Sequence, residues 1–250
     1  MSLFFLACTP RTGNVWCRRL LAGAIGGTHI AAHQPYEIDW GSLHPPCIVA
    51  MHWHLATELR DLLAAGQFEV IVTVRHPFDI LISILHFCLY EPATARWLEG
   101  EGGTEASLLG STADPTSPRF LQYALSSRAK ALLGISAEWY SSARAVVRYE
   151  DLVADTEETL RRTLISLGCQ AAVPLNEVVQ SNTIDRLRPL GPKHFWRGEP
   201  GLWRRLIVPE FRRPIYECHK KLFQLWGYDC AGERELTAVE ARANWKAICQ

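Results

Sequence analysis

An α/β fold, a parallel sheet flanked by helices, follows from three observations on this sequence. Leu3-Phe4-Phe5-Leu6-Ala7 and the run from Phe68 to Val74 are short and largely apolar, as strands buried on both faces are. Each is followed, after a turn, by apolar residues at helical spacing: Val15, Leu20, Leu21 and Ala24 in the first case, Phe78 to Leu89 in the second. The alternation then continues with runs at 47–52 and 143–149, the pattern of a parallel sheet whose ligands sit at the carboxyl ends of its strands.

In order, the first strand leads into the turn Cys8-Thr9-Pro10-Arg11-Thr12-Gly13, and Gly26-Gly27 stops the helix that follows. Residues 28–46 carry three prolines and little periodicity, so loops around one short strand are expected. The strand at 47–52 ends in His52, and a helix is expected over 53–65 with Leu55, Leu59, Leu62 and Leu63 on one face. The strand Phe68–Val74 ends at Arg75-His76-Pro77. Residues 99–118 turn Gly-, Ser-, Thr- and Pro-rich and read as a mobile loop, either a lid or an insertion. A helix is expected over 120–133, then the strand at 143–149 with Glu150-Asp151 at its end. Further helices are expected over 156–168, 209–226 and 233–247.

With 250 residues, 48% of them hydrophobic, the chain can bury one sizeable core, and a single domain over 1–250 is expected. Lys+Arg and Asp+Glu balance at 26 each, which gives no field to attract nucleic acid or an anionic membrane. Eight cysteines are scattered without a CxxC pair, which points to unbridged thiols in a reducing compartment and to no zinc site. Leu6-Ala7-Cys8 resembles the end of a lipoprotein signal, but the apolar run before it is too short and lacks a basic start. No stretch approaches the ~20 apolar residues of a membrane span, so a cytoplasmic protein without membrane contact is expected. A homo-oligomer is left open.

The turn after the first strand has the chemistry of a phosphate cradle. Backbone N–H groups in the first turn of a helix lack partners inside it and, with the helix dipole, attract an anion. Arg11 adds charge and Thr12 a hydroxyl. The Walker pattern, with its Gly-Lys-Ser/Thr, is absent.

Pro10-Arg11-Thr12-Gly13-Asn14-Val15-Trp16 resembles instead the 5′-phosphosulfate loop of sulfotransferases that use 3′-phosphoadenosine 5′-phosphosulfate (PAPS), roughly Pro-Lys-Ser-Gly-Thr-Thr-Trp. Pro10, Gly13 and Trp16 match, Arg11, Thr12 and Asn14 are near substitutes, and Val15 departs. Arg75-His76-Pro77-Phe78-Asp79, with Ser83 and His86-Phe87, resembles the same family's 3′-phosphate segment. Arg75 at a strand end and Ser83 two helical turns on would both reach one phosphate. Tyr149-Glu150-Asp151-Leu152 matches the family's strand end whose tyrosine lies against adenine, with Trp16 as further aromatic surface. Arg197, Gly198, Gly201, Trp203 and Arg204 agree with the basic segment that folds over the 3′-phosphate. Trp196 replaces a basic residue there, which Lys193 or Arg205 would make good, and Leu202 an acidic one.

The resemblance implies a P-loop-like, three-layer sulfotransferase architecture. It also implies sulfuryl transfer from PAPS, leaving adenosine 3′,5′-bisphosphate (PAP), with no metal required. Arg11 and the N–H groups of residues 12–15 would stabilise the leaving phosphate, and Ser83 is counted with the catalytic set. The family's basic histidine ends a strand about two dozen residues before the arginine, which points to His52, with His54 as competitor. The acceptor is expected to be a small apolar alcohol or phenol, from aromatics such as His86, Phe87, Tyr90, Trp97, Phe120 and Trp139, although core packing would give the same composition. The alternatives are a nucleotide-binding module without turnover and a P-loop-like kinase.

Overall fold

The computed structural model describes residues 2–99, 109, 113–190, 196–232 and 235–249. In chain order the elements are β1 (Leu3–Cys8), α1 (Asn14–Ile25), β2 (Thr28–Ala32), β3 (Cys47–Met51), α2 (Thr57–Ala65), β4 (Phe68–Val74), α3 (Pro77–Tyr90) and α4 (Pro92–Glu99). Then follow α5 (Pro118–Leu125), α6 (Ser127–Trp139), β5 (Ala145–Arg148), α7 (Tyr149–Ala154), α8 (Thr156–Ser166), α9 (Leu175–Ser181), α10 (Ile184–Leu187), α11 (Pro209–Trp226) and α12 (Ala238–Cys249). The chain divides into two compact units, residues 1–75 with 134–198, and residues 76–133 with 199–250.

The first unit holds a five-stranded, all-parallel sheet in the order β2-β3-β1-β4-β5. One face, with Phe4, Leu6, Ile48, Ala50, Ile71 and Val147, packs on Trp16, Leu20 and Leu21 of α1 and on Leu160 and Leu164 of α8. On the other, Phe5 meets Trp139 at the end of α6, ring centroids 5.1 Å apart. Both faces of β1 are therefore covered, which is why its sequence does not alternate. Register then decides where the chemistry sits. Ala7 pairs with Met51, Cys8 with Thr73, and Val74 with Arg148. The next residues, from Thr9 onward, His52, Arg75 and Tyr149, thus leave neighbouring strands along one carboxyl edge.

In the second unit, α3 is buried from Pro77 to Cys88, as a helix apolar all round must be. Its start carries an aromatic cluster of His76, Phe78, Trp203 and Phe223. No described helix is long and apolar enough to cross a membrane.

The structure differs from the sequence expectation in several places. The helix expected from 53 starts at Thr57, because Glu138 Oε2 accepts the Leu55 N–H (2.9 Å) and Trp53 O accepts from Trp139 Nε1 (2.8 Å). The helix expected over 120–133 is two, α5 and α6, broken at Ser126, which is extended and whose Oγ accepts from Ala129 N. Tyr149 does not end β5 but begins α7. The expected 99–118 loop lies mostly outside the described residues, and so does Lys193. None of the eight cysteines is in a disulfide.

Candidate active site

The turn between β1 and α1 is held from beneath by buried hydroxyls. Thr12 Oγ1 donates to Thr9 O (2.7 Å) and accepts from Thr73 Oγ1 (2.7 Å). Ser136 Oγ takes the Thr9 N–H (2.6 Å) and donates to Thr73 O (2.8 Å), while Ser136 N–H reaches Thr9 Oγ1 (3.2 Å). The Thr12 hydroxyl, read in the sequence as a phosphate donor, thus gives its proton to the turn itself. Thr73 and Ser136 were not singled out in the sequence. A serine directly after the apolar helical run Leu132-Leu133-Gly134-Ile135 is the signal available for the latter.

Above this support the backbone takes the left-handed region at Arg11 (φ 69°) and at Gly13 (φ 80°), the N-cap of α1, and no side chain caps that helix. The first-turn N–H groups, with Asn14 and Val15 partly exposed beside them, are therefore placed for an anionic group. Arg11 is partly exposed, and its carbonyl receives Arg75 Nη1 at 3.2 Å.

Tyr149 joins the segments. Its ring lies 4.3 Å beneath the Arg75 guanidinium, its hydroxyl donates to Gly198 O (2.9 Å), and a Cβ on Gly13 would fall 2.5 Å from its ring. Arg75 itself is buried, and its Nε has no hydrogen-bond partner among the described residues. A buried donor left so costs stability, and an anion arriving at that atom would recover it. Trp16 differs from its expected role. It is buried in the sheet core, edge-on to Tyr149 at 6.3 Å, with its Nε1 donating to Asn182 O (2.7 Å).

His52 follows β3 directly. Its Nδ1 lies 2.6 Å from Cys8 O, an atom that can only accept, so Nδ1 carries the proton and Nε2 the lone pair. Nε2 points toward Asn14 Nδ2 at 3.5 Å, at the start of α1. Burial outweighs the hydrogen bond to Cys8 O and, with the nearby Arg11 and Arg18 adding to it, pushes His52 down to about 4, so the ring is neutral at neutral pH. His54, in contrast, is exposed and pairs with Glu138 Oε1 at 2.9 Å.

Of the basic segment, Arg197 is exposed, and Gly198 is bound through its carbonyl to Tyr149. Ser83 lies in the second unit, buried in α3. Phe120 and Trp139, read as candidate acceptor walls, are fully buried core side chains. Among the described residues no group of His, Cys, Asp and Glu is placed to hold a metal ion.

Scans against protein-family models and curated proteins found no match. Solved structures do match. Mouse sulfotransferase SULT7A1 complexed with PAP is 15% identical, with 91% of this chain and 89% of that chain covered and a TM-score of 0.66. Retinol dehydratase in a complex with retinol and PAP is 12% identical, covering 89% and 81%, at 0.58. Retinol dehydratase with androsterone and inactive cofactor PAP is 13% identical, covering 89% and 80%, at 0.51.

Proposed function

Starting from a chain that has the sulfotransferase fold, we propose that it transfers the sulfuryl group of PAPS to the hydroxyl or amine of a small-molecule acceptor. One observation carries the reading: the loop at Gly13, Arg75 and Gly198, far apart in sequence, meet on Tyr149 within one unit, beside a buried Arg75 Nε that lacks a partner among the described residues. These are the segments that the sequence resemblance assigns to the two phosphates of the nucleotide. That the solved structures of similar fold hold PAP supports the same assignment.

The roles divide as follows. The N–H groups of residues 12–15 and the Arg11 guanidinium hold the 5′-phosphate and stabilise its oxygen as it leaves. Thr12 shapes the turn through its side chain and contributes only its backbone to the anion. Arg75 grips the 3′-phosphate, with Arg197 and the Gly198 backbone of the same unit beside Tyr149 in the chain of contacts, and Ser83 keeps only the role that the sequence resemblance gives it. Tyr149 is the strut that sets Arg75 and Gly198 relative to the loop, and Trp16 fixes α1 from below.

His52 Nε2 takes the acceptor hydroxyl proton as the acceptor oxygen attacks sulfur. The bond from sulfur to the bridging oxygen breaks, and that oxygen leaves with PAP. The ring is neutral in the free protein and so needs no prior deprotonation. The acceptor class stays with an apolar alcohol or phenol, in line with retinol and androsterone bound in two neighbours of similar fold.

The test is calorimetric titration of the protein with PAP, AMP and ATP without added metal, followed by turnover with PAPS and a panel of phenols and alcohols. Tighter binding of PAP than of AMP, reduced in Arg75→Ala, is the expected result. PAP binding without turnover of any acceptor would favour a nucleotide-binding module, and binding of ATP with magnesium alone would favour a kinase. Indifference to the 3′-phosphate would overturn the assignment.

A further inference from the structure

The basic segment that begins at Arg197 continues into a turn in the second unit whose shape is set by one buried carboxylate. Asp79 is 1% exposed, in the first turn of α3. Its Oδ2 accepts the Gly201 N–H at 2.6 Å, and its Oδ1 accepts the Trp203 N–H at 3.0 Å. Two backbone donors two residues apart on a single carboxylate leave the turn between them one arrangement.

The rest of the turn is built to the same shape. Gly201 sits at φ 80°, and a Cβ there would lie 2.6 Å from Arg204 Nη1. Trp203 is fully buried and stacks on His76, centroids 4.8 Å apart and planes 24° apart. The exposed Arg204 guanidinium lies 4.7 Å over the Trp203 ring, and its carbonyl receives Arg212 Nη2 at 3.0 Å. His76 is pinned in turn, with Nδ1 accepting the Phe78 N–H (3.2 Å) and Nε2–H donating to Asp229 O (3.0 Å). In the chain His76 directly follows Arg75, and Asp79 lies four residues after it.

We infer that Asp79 is a positioning residue for the nucleotide: by fixing the backbone of residues 201–203 it sets the turn that carries Arg204, the part of the basic segment within its own unit, in a geometry that favours a 3′-phosphate. The inference rests on the nucleotide assignment proposed above. It explains why an acidic side chain is buried inside a segment otherwise built to attract anions. A neutral amide cannot replace it, because Asp79→Asn turns one of the two accepting oxygens into an NH2 group that faces a backbone N–H.

The experiment measures the ratio of AMP to PAP dissociation constants by calorimetry, with a thermal melt for each protein. Wild type should prefer PAP. Asp79→Asn should reduce that preference about tenfold or more, as expected for loss of a hydrogen bond to a charged group. Its affinity for AMP should move far less. Gly201→Ala loosens the same turn without touching the carboxylate, and its preference should fall in the same direction. A folded Asp79→Asn protein with the wild-type ratio, or with PAP and AMP weakened equally, overturns the inference. If that protein does not fold, Gly201→Ala decides, and an unchanged ratio there overturns it as well. A wild type that binds AMP as well as PAP would instead remove the nucleotide assignment itself, so the two failures are separable.

Discussion

Gly13 offers a direct test of how the site is assembled. An added Cβ would stand 2.5 Å from Cδ2 and 2.8 Å from Cε2 of Tyr149. Carbon contacts settle at about 3.5–4.0 Å, so the ring would have to shift by about 1 Å. It has little room to do so, with its hydroxyl on Gly198, Arg75 above and Trp16 at its edge. Two costs add in Gly13→Ala. Holding alanine at φ 80° costs about 1–2 kcal/mol, and forcing a packed ring aside costs about 1–3 kcal/mol. A total of about 2–5 kcal/mol corresponds to a drop in melting temperature of roughly 5–15 °C for a chain of this length. In a Tyr149→Ala background the second cost vanishes and the first remains. Urea unfolding of wild type, both single variants and the double variant should therefore show a coupling of about 1–3 kcal/mol. If Gly13→Ala costs the same in both backgrounds, the ring does not press on the loop, and Tyr149 is not the strut described above.

Two further predictions concern the groups that the proposed function puts nearest the chemistry. Arg11→Gly relieves a left-handed residue while removing a charge, so the melting temperature should hold or rise while PAP affinity falls by roughly tenfold or more. Arg11→Ala, which keeps the backbone strain, should lose the affinity without that gain in a paired melt and titration. His52 is held at about 4 in the free protein, below the 6.5 of an unhindered imidazole. The folded state then binds fewer protons than the unfolded one, so this group's contribution to stability is lost as pH falls from about 6.5 through about 4. An anionic nucleotide near Arg11 raises the imidazole again, so PAP binding at pH 5 should take up protons, seen as a buffer-dependent binding enthalpy that disappears in His52→Gln. The same variant should lower the turnover of a hydroxyl acceptor by about 10²–10⁴-fold.

The sequence made the sheet legible because the signals there are local. Apolar runs mark β1, β3 and β4, and Pro209 and Gly227 bracket α11 to the residue. The start of α12 is local too, a capping box of Thr237 and Glu240 (3.0 and 3.2 Å) that the expected start at 233 overlooks. What was not legible depends on residues far off in the chain. The late start of α2 is imposed by Glu138 and Trp139 from more than 80 residues away. Spacing placed His52, Arg75 and Tyr149 at strand ends, but it could not show that the Thr12 hydroxyl is turned inward by Thr9 and Thr73. Nor could it show that Tyr149 binds other protein segments, or that Asp79 reaches a turn 122 residues later.

The position of Tyr149 has a consequence for the order in which the site comes into being. Arg11 and Arg75 follow adjacent strands, β1 and β4, and both precede β5 in the chain. The residue that sets them against one another arrives only after β5, the edge strand, and its own anchor at Gly198 comes about fifty residues later still. A nascent chain can pair the central strands without being able to hold the nucleotide. On the proposed function, ligand binding stabilises the finished fold but not its early steps, and a product truncated before Gly198 is predicted neither to bind PAPS nor to be rescued by it.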